Sequence, residues 1–165
     1  MTEATVQAAP TQPNTNTLPS QAVIGYGSAF GISTLITSPI TYVQVAEVTD
    51  IDWAGITIGK EDVTNLGSPN AYREYKPSLV DPGTIALEGN WLDDATQTNM
   101  YQLASTRQTF AFQVQNLVQN SSKTYTVTGM GFFEKIAPLG KVSADKAIKF
   151  SAQIQITGIV TISLA

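Results

Sequence analysis

The sequence predicts a mainly β fold: antiparallel strands in a sandwich or barrel, one flanking α-helix, and a long connection between two of the strands. Three observations carry this. From 148 to 162 the even positions are Ile148, Phe150, Ala152, Ile154, Ile156, Gly158, Val160 and Ile162, and the odd ones are polar apart from Ile159. That alternation is the period of a strand with one face in a core. Only one segment, starting at Asp93 and Asp94, carries apolar residues at helical spacing. The remaining runs are rich in Val, Ile, Thr and Phe and are cut by Gly and Pro, as strands are by their turns.

Residues 1–21 carry Pro10, Pro13 and Pro19 among Thr, Asn and Gln. This composition cannot nucleate a core, so it reads as an extended arm, either a free tail or one that orders on a neighbouring subunit. Residues 22–165 read as one domain. Strand character begins at Val23 and runs loosely to 36 around Gly25, Gly27 and Gly31. Residues 41–51 (TYVQVAEVTDI) form the next strand, and 54–59 extend it beyond a bend.

Residues 62–83 hold Pro69, Pro77 and Pro82 with Gly67 and Gly83, a pattern that forbids a regular element. A structureless connection of that length is uncommon in a compact domain and points to function. Its centre, Tyr72-Arg73-Glu74-Tyr75 followed by Lys76 and Pro77, has the side chains that dominate protein–protein contacts. The loop therefore reads as partner-binding.

Residues 84–90 (TIALEGN) are a strand. Asp93 or Asp94 caps a helix over 94–105, whose Met100, Leu103 and Ala104 form an apolar stripe. Its Thr and Asn residues are poor helix formers, so packing must hold it. Residues 109–116 place Phe110, Phe112 and Val114 on one face and Gln113 and Gln115 on the other. After a turn at 117–122, residues 123–133 alternate Tyr125 and Val127 with Thr124, Thr126 and Thr128. Gly129 and Gly131 mark a bulge or close packing. The 148–162 strand is too long to run straight and bends near Gly158 or changes sheet.

Composition removes most chemistry. The 165 residues include no Cys and no His, so disulfides, thiolate nucleophiles, Cys/His metal sites and Ser-His-Asp triads are excluded. Charged residues make up 13%, against about 25% in an ordinary domain. Thr, Ser, Gln and Asn fill the gap with 53 residues. Such a surface fits contact with other protein, or a Thr-rich extracellular or viral β protein. Residues 1–59 hold four acids and no base, while 60–165 balance at nine each. No basic patch grips phosphates. No run of about 18 apolar residues spans a membrane, and the N-terminus lacks the pattern of a secretory leader.

Asp50 and Asp52, two apart on a strand, and the adjacent Asp93 and Asp94 are the available carboxylate pairs; they read as a solvated strand end and a helix cap. Glu61-Asp62 opens the long loop, and Asn120-Ser121-Ser122 reads as turn chemistry rather than a glycosylation site. No catalytic, cofactor or metal residue is expected. Trp53 and Trp91 lie near strand ends and read as core; exposed in a groove, they would instead suit a β-sandwich adhesin or carbohydrate-binding module.

Several features in this order resemble the tail tube (major tail) proteins of long-tailed bacteriophages. They are the strand Val45-Ala46-Glu47-Val48-Thr49-Asp50-Ile51, the stretch from Asp62 to Trp91 with its Asp-x-Thr opening, the helix with Gln97 and Leu103, the Phe-rich strand, and AQIQITGIV from Ala152 to Val160. The likeness runs over about residues 40–162. It implies a β-sandwich with a flanking helix, hexameric rings stacking into a hollow tube, and inner sheets joined into a barrel through which the genome passes. The loop Asp62–Gly83 would reach the adjacent ring, with Tyr72, Arg73, Glu74, Tyr75, Lys76 and Pro77 at the contact, and the arm would add ring contacts. Other partners would be tape-measure, terminator and baseplate or tip proteins. Double-stranded DNA would pass without specific binding, in a virion tail assembled in the host cytoplasm. Gln113, Gln115, Gln153 and Gln155 would line the lumen or lie at subunit boundaries. The same fold serves contractile tails and type VI secretion.

Overall fold

The computed structural model describes residues 27–92, 94–117, 123–140 and 146–165. The arm expected over 1–21, Asp93, and the turn residues 118–122 with Asn120-Ser121-Ser122 lie outside the described residues. The elements are β1 (Ala29–Ser33), β2 (Val43–Gln44), β3 (Val48–Trp53), β4 (Thr57–Asp62), β5 (Tyr75–Asp81), β6 (Thr84–Asn90), α1 (Ala95–Ser105), β7 (Phe110–Leu117), β8 (Thr124–Ala137) and β9 (Lys149–Leu164). Seven strands form one antiparallel sheet in the order β2-β1-β7-β8-β9-β6-β3, and β4 pairs with β5 in a separate ribbon.

The strand expected over 41–51 is two strands at opposite edges of the sheet. Glu47, at φ 58°, turns the chain between them. The Val45 N–H donates to Phe30 O at 2.8 Å on one edge, and Glu47 O accepts from Asn90 N at 2.9 Å on the other. Both edges are thus reached within three residues, so the sheet curls back on itself into a barrel-like sandwich. The corners come from strands that kink at bulges. β8 and β9 lose register between Thr128 and Met130, opposite Gly158 at φ 76°, and again between Phe133 and Lys135. This is the bend expected at Gly158.

Inward side chains from both halves of the curl make the core: Phe30, Ile32, Phe110 and Phe112 from one, Ile85, Leu87, Phe150, Ile154 and Ile156 from the other. Phe110 and Phe133 stack at 4.6 Å between ring centroids. Gly131 is required by this closeness: a Cβ there would lie 2.7 Å from Ile154 Cγ2 and 2.8 Å from Gln155 O. Gly129 likewise faces the Phe112 ring.

The helix begins one residue later than expected. Asp94 caps it, its carboxylate accepting from Thr96 N at 3.2 Å, and Gln97, Met100 and Leu103 are buried. Gln97 is the surprise on that face. Its Oε1 accepts from Leu92 N at 2.8 Å, and its Nε2 donates to Ala46 O at 3.2 Å and Asn90 O at 3.1 Å. One amide thereby satisfies the backbone at the β2–β3 crossing and at the end of β6, which anchors a helix that propensity alone would not hold.

Candidate assembly surface

The stretch expected to be structureless contains a strand. β4 and β5 pair antiparallel from Thr57↔Asp81 to Asp62↔Tyr75. They continue the β3–β6 hairpin beyond a neck, where Gly55 (φ 81°) and Gly83 (φ 76°) pass so close that a Cβ on Gly83 would strike Gly55 O. The Trp53 indole N–H, donating to Pro82 O at 3.0 Å, fixes this neck. Pro77 is tolerated because both strands of a two-stranded ribbon are edges and because it sits beside a register shift, opposite Lys60.

The ribbon projects with neither face covered; every residue of β5 is exposed. Ile58 is 60%, Leu79 87% and Val80 59% exposed, and Leu66 and Tyr72 join them at the tip. Leu66, Leu79 and Val80 lie outside the contact expected from the sequence. Apolar residues in a segment otherwise rich in Pro, Gly and charge were the available signal.

The six residues expected to bind a partner have divided roles. Tyr72 is free in solvent. Arg73 Nη1 lies 3.7 Å from Asp62 Oδ2, and Glu74 accepts from Ser68 Oγ at 2.8 Å. Lys60 Nζ sits 4.9 Å from the Tyr75 ring centroid, while Lys76 and Pro77 lie exposed in β5. Thr64 knots the tip: its hydroxyl bonds Asp62 Oδ1 and accepts from Glu74 N, while its N–H also donates to Asp62 Oδ1 at 3.0 Å. The Thr64 hydroxyl and then its backbone N–H hold the exposed Asp62 carboxyl below its ordinary pKa. The tip is preformed, with a 3-10 turn at Pro69–Ala71.

The four glutamines expected at the lumen or at subunit boundaries all sit on the side of the sheet away from the core, but not together. Gln113 and Gln115 belong to the rungs Gly31–Gln113–Thr128–Thr161 and Ala29–Gln115–Thr126–Ser163. Gln155 lies six residues along β9 from Thr161, roughly 20 Å at strand rise and past the β8–β9 bulge. Gln153 and Gln155 instead share their face with Asp50, Asp52 and Glu88 through β6 and β3. The two pairs therefore look out from different walls.

β9 has a free side as well. β6 pairs with it only from Lys149 to Gln155, so among the described residues the stretch from Thr157 to Leu164 has β8 alone. That stretch has no charged residue, and Ile159 is 88% exposed. Uncharged open edges are ones that proteins usually protect.

Trp53 and Trp91 pack against the core, as expected, so neither offers a sugar platform. Among the described residues no group of three or more acidic side chains is placed to hold a metal, and no helix is long and apolar enough to cross a membrane.

No protein-family model matches the sequence, and no curated protein does. Solved structures do match by fold. A chain of the tail of an empty gene transfer agent particle, refined with C6 symmetry, aligns with a TM-score of 0.66 at 16% identity, covering 86% of this chain and 99% of that one. A chain of the six-fold symmetrised anti-feeding prophage baseplate aligns at 0.62 and 11%, covering 89% and 97%. A chain of the SPP1 tail tube aligns at 0.62 and 13%, covering 86% and 78%. The curled antiparallel sheet with one flanking helix is thus the fold found in these tail structures.

Proposed function

We propose that this protein is the structural subunit of a bacteriophage tail tube, assembling into hexameric rings that stack into a hollow conduit for the genome. The observation that carries it is the β4–β5 ribbon. It is a preformed arm of backbone and apolar side chains that contributes nothing to its own core, on a fold shared with tail assemblies of six-fold symmetry. Exposed apolar surface of this kind marks an interaction site, and a heterologous contact between like subunits propagates. The ribbon reaches the adjacent ring. The domain over 22–165, with the arm 1–21 adding ring contacts, works in the virion tail after assembly in the host cytoplasm. It meets tape-measure, terminator and baseplate or tip proteins, and its role is structural rather than catalytic.

The Gln153–Gln155 wall faces the lumen. Asp50 and Glu88 oppose each other directly in register there, a like-charge pairing unfavourable for the subunit. Facing DNA, the same carboxylates repel phosphate and keep the genome mobile. Lysines at Gln153 and Gln155 are expected to slow DNA ejection, and lysines at Gln113 and Gln115 to leave it unchanged; the reverse pattern would move the lumen to the other wall.

Electron microscopy and sedimentation of the purified protein over a concentration series, with tail initiator added, test the assembly itself. Rings or tubes of uniform width are expected. The doubly substituted Tyr72→Ser, Leu79→Ser protein is expected to stay a folded subunit. Tubes of normal length from that variant would remove the ribbon from the contact.

A further inference from the structure

The wall assigned above to the lumen carries an unanswered charge at each end. One rung runs Asp52–Ala86–Gln153–Lys135 across β3, β6, β9 and β8. β3 is an edge strand of the sheet, and among the described residues β8 has no strand beside it past Gly131, where β7 pairing stops and α1 packs against β8. The rung thus begins and ends on strands unpaired on one side, with Asp52 and Lys135 exposed. At one margin Asp50 and Asp52 stand with Glu88; at the other stands Lys135. Neither Lys135 nor these carboxylates make an ion pair among the described residues. Three strand spacings separate Lys135 from Asp52 by about 14 Å, beyond the roughly 8 Å screening length at physiological salt, so they do not neutralise each other within one subunit. Lys149, the other lysine on this wall, differs: it pairs in register with Asn90, diagonal to Glu88. Glu134, adjacent to Lys135, is the extra residue of a bulge and forms no ion pair with it.

We infer that Lys135 of one copy pairs across the lateral seam with Asp50 and Asp52 of the next, so that each ring closes through an acid–lysine seam. The occupant of both margins is a second copy of this chain, because each margin carries the charge the other lacks. The inference rests on the tube reading and adds a consequence to it. A lone lysine on a wall facing DNA would hold phosphate, and the neighbour's aspartates mask it.

The test uses the full chain and charge reversal. Lys135→Glu alone, and Asp50→Lys with Asp52→Lys, are each expected to raise the concentration needed for tubes at least tenfold while leaving the subunit's melting temperature unchanged. The triple variant carrying all three changes is expected to assemble again. An equimolar mixture of the two assembly-defective variants is expected to form tubes that neither forms alone, since an even-membered ring closes with the two alternating. Wild-type tubes with unimpaired tubes from both reversals overturn the seam and leave the tube reading intact. Loss in both reversals with no recovery in the triple variant or the mixture also overturns it. A wild-type protein that never assembles, even with tail initiator present, fails the tube reading itself.

Discussion

β3–β6 and β4–β5 are two halves of one chain hairpin with opposite fates. Below the neck at Gly55 and Gly83, Ile85 and Leu87 are fully buried. Above it, residues just as apolar, Ile58, Leu79 and Val80, face water. The apolar side chains are alike on both sides; their surroundings differ. Apolar content alone therefore does not separate a residue that holds its own subunit together from one kept for another. The lower half is completed by β9 and the core, and the upper half has no such cover.

The sharpest way to break this contrast is to cut each half. Leu87→Ala below the neck is expected to cost about 2–5 kcal/mol in denaturant unfolding, enough to unfold a marginal domain. Gln97→Ala is expected to cost about 3 kcal/mol, since it leaves Leu92 N–H, Ala46 O and Asn90 O without partners. A loss near that of an exposed glutamine would mean the helix is held by Met100 and Leu103 alone. Asp94→Ala, which removes the cap, is expected to cost about 1 kcal/mol by the same measurement. Leu79→Ser with Val80→Ser should change unfolding by no more than about 0.5 kcal/mol, while abolishing tubes seen by microscopy. A large stability loss there would make the ribbon part of the subunit's own fold.

The smallest effect concerns the tip. The folded Asp62 pKa lies below its unfolded value. The clasp on Thr64 is therefore fully present above the ordinary carboxylate range and fades as pH falls through the lowered value. Protection of the Thr64 and Glu74 amides against exchange, measured relative to the intrinsic rate at each pH, is expected to fall between about pH 5 and pH 2, with the protection of β6 and β9 unchanged. An equal fall in both regions would mean that ribbon and barrel open as one unit.

The legible parts of the fold were those where a period governs. The alternation at 148–162 located β9, TIALEGN located β6, and Phe110, Phe112 and Val114 set the inward face of β7. Two readings failed for a shared reason: the deciding contact is long-range. Residues 41–51 look like one strand because Val43, Val45 and Val48 are all β-branched. Only the pairing of Val45 with Phe30 and of Glu47 with Asn90 divides them. Pro77 speaks against a strand unless its partner strand is itself an edge, and no local pattern says so. Gln97 carried a name but no role, because an amide on a helix face looks the same whether it meets water or three backbone groups. The glutamine pairs were matched by composition, and the bulge beside Gly158 carried them to different walls.

β9 joins β8 to β6 and so closes the sheet between two segments that precede it in the chain. During synthesis it leaves the ribosome after both. A nascent chain lacking it holds β1, β7 and β8 on one side and β3 and β6 on the other, with no strand to unite them. In the assembly proposed above, the ribbon is therefore made before the body that carries it has closed, and the subunit's own core is completed only when β9 pairs.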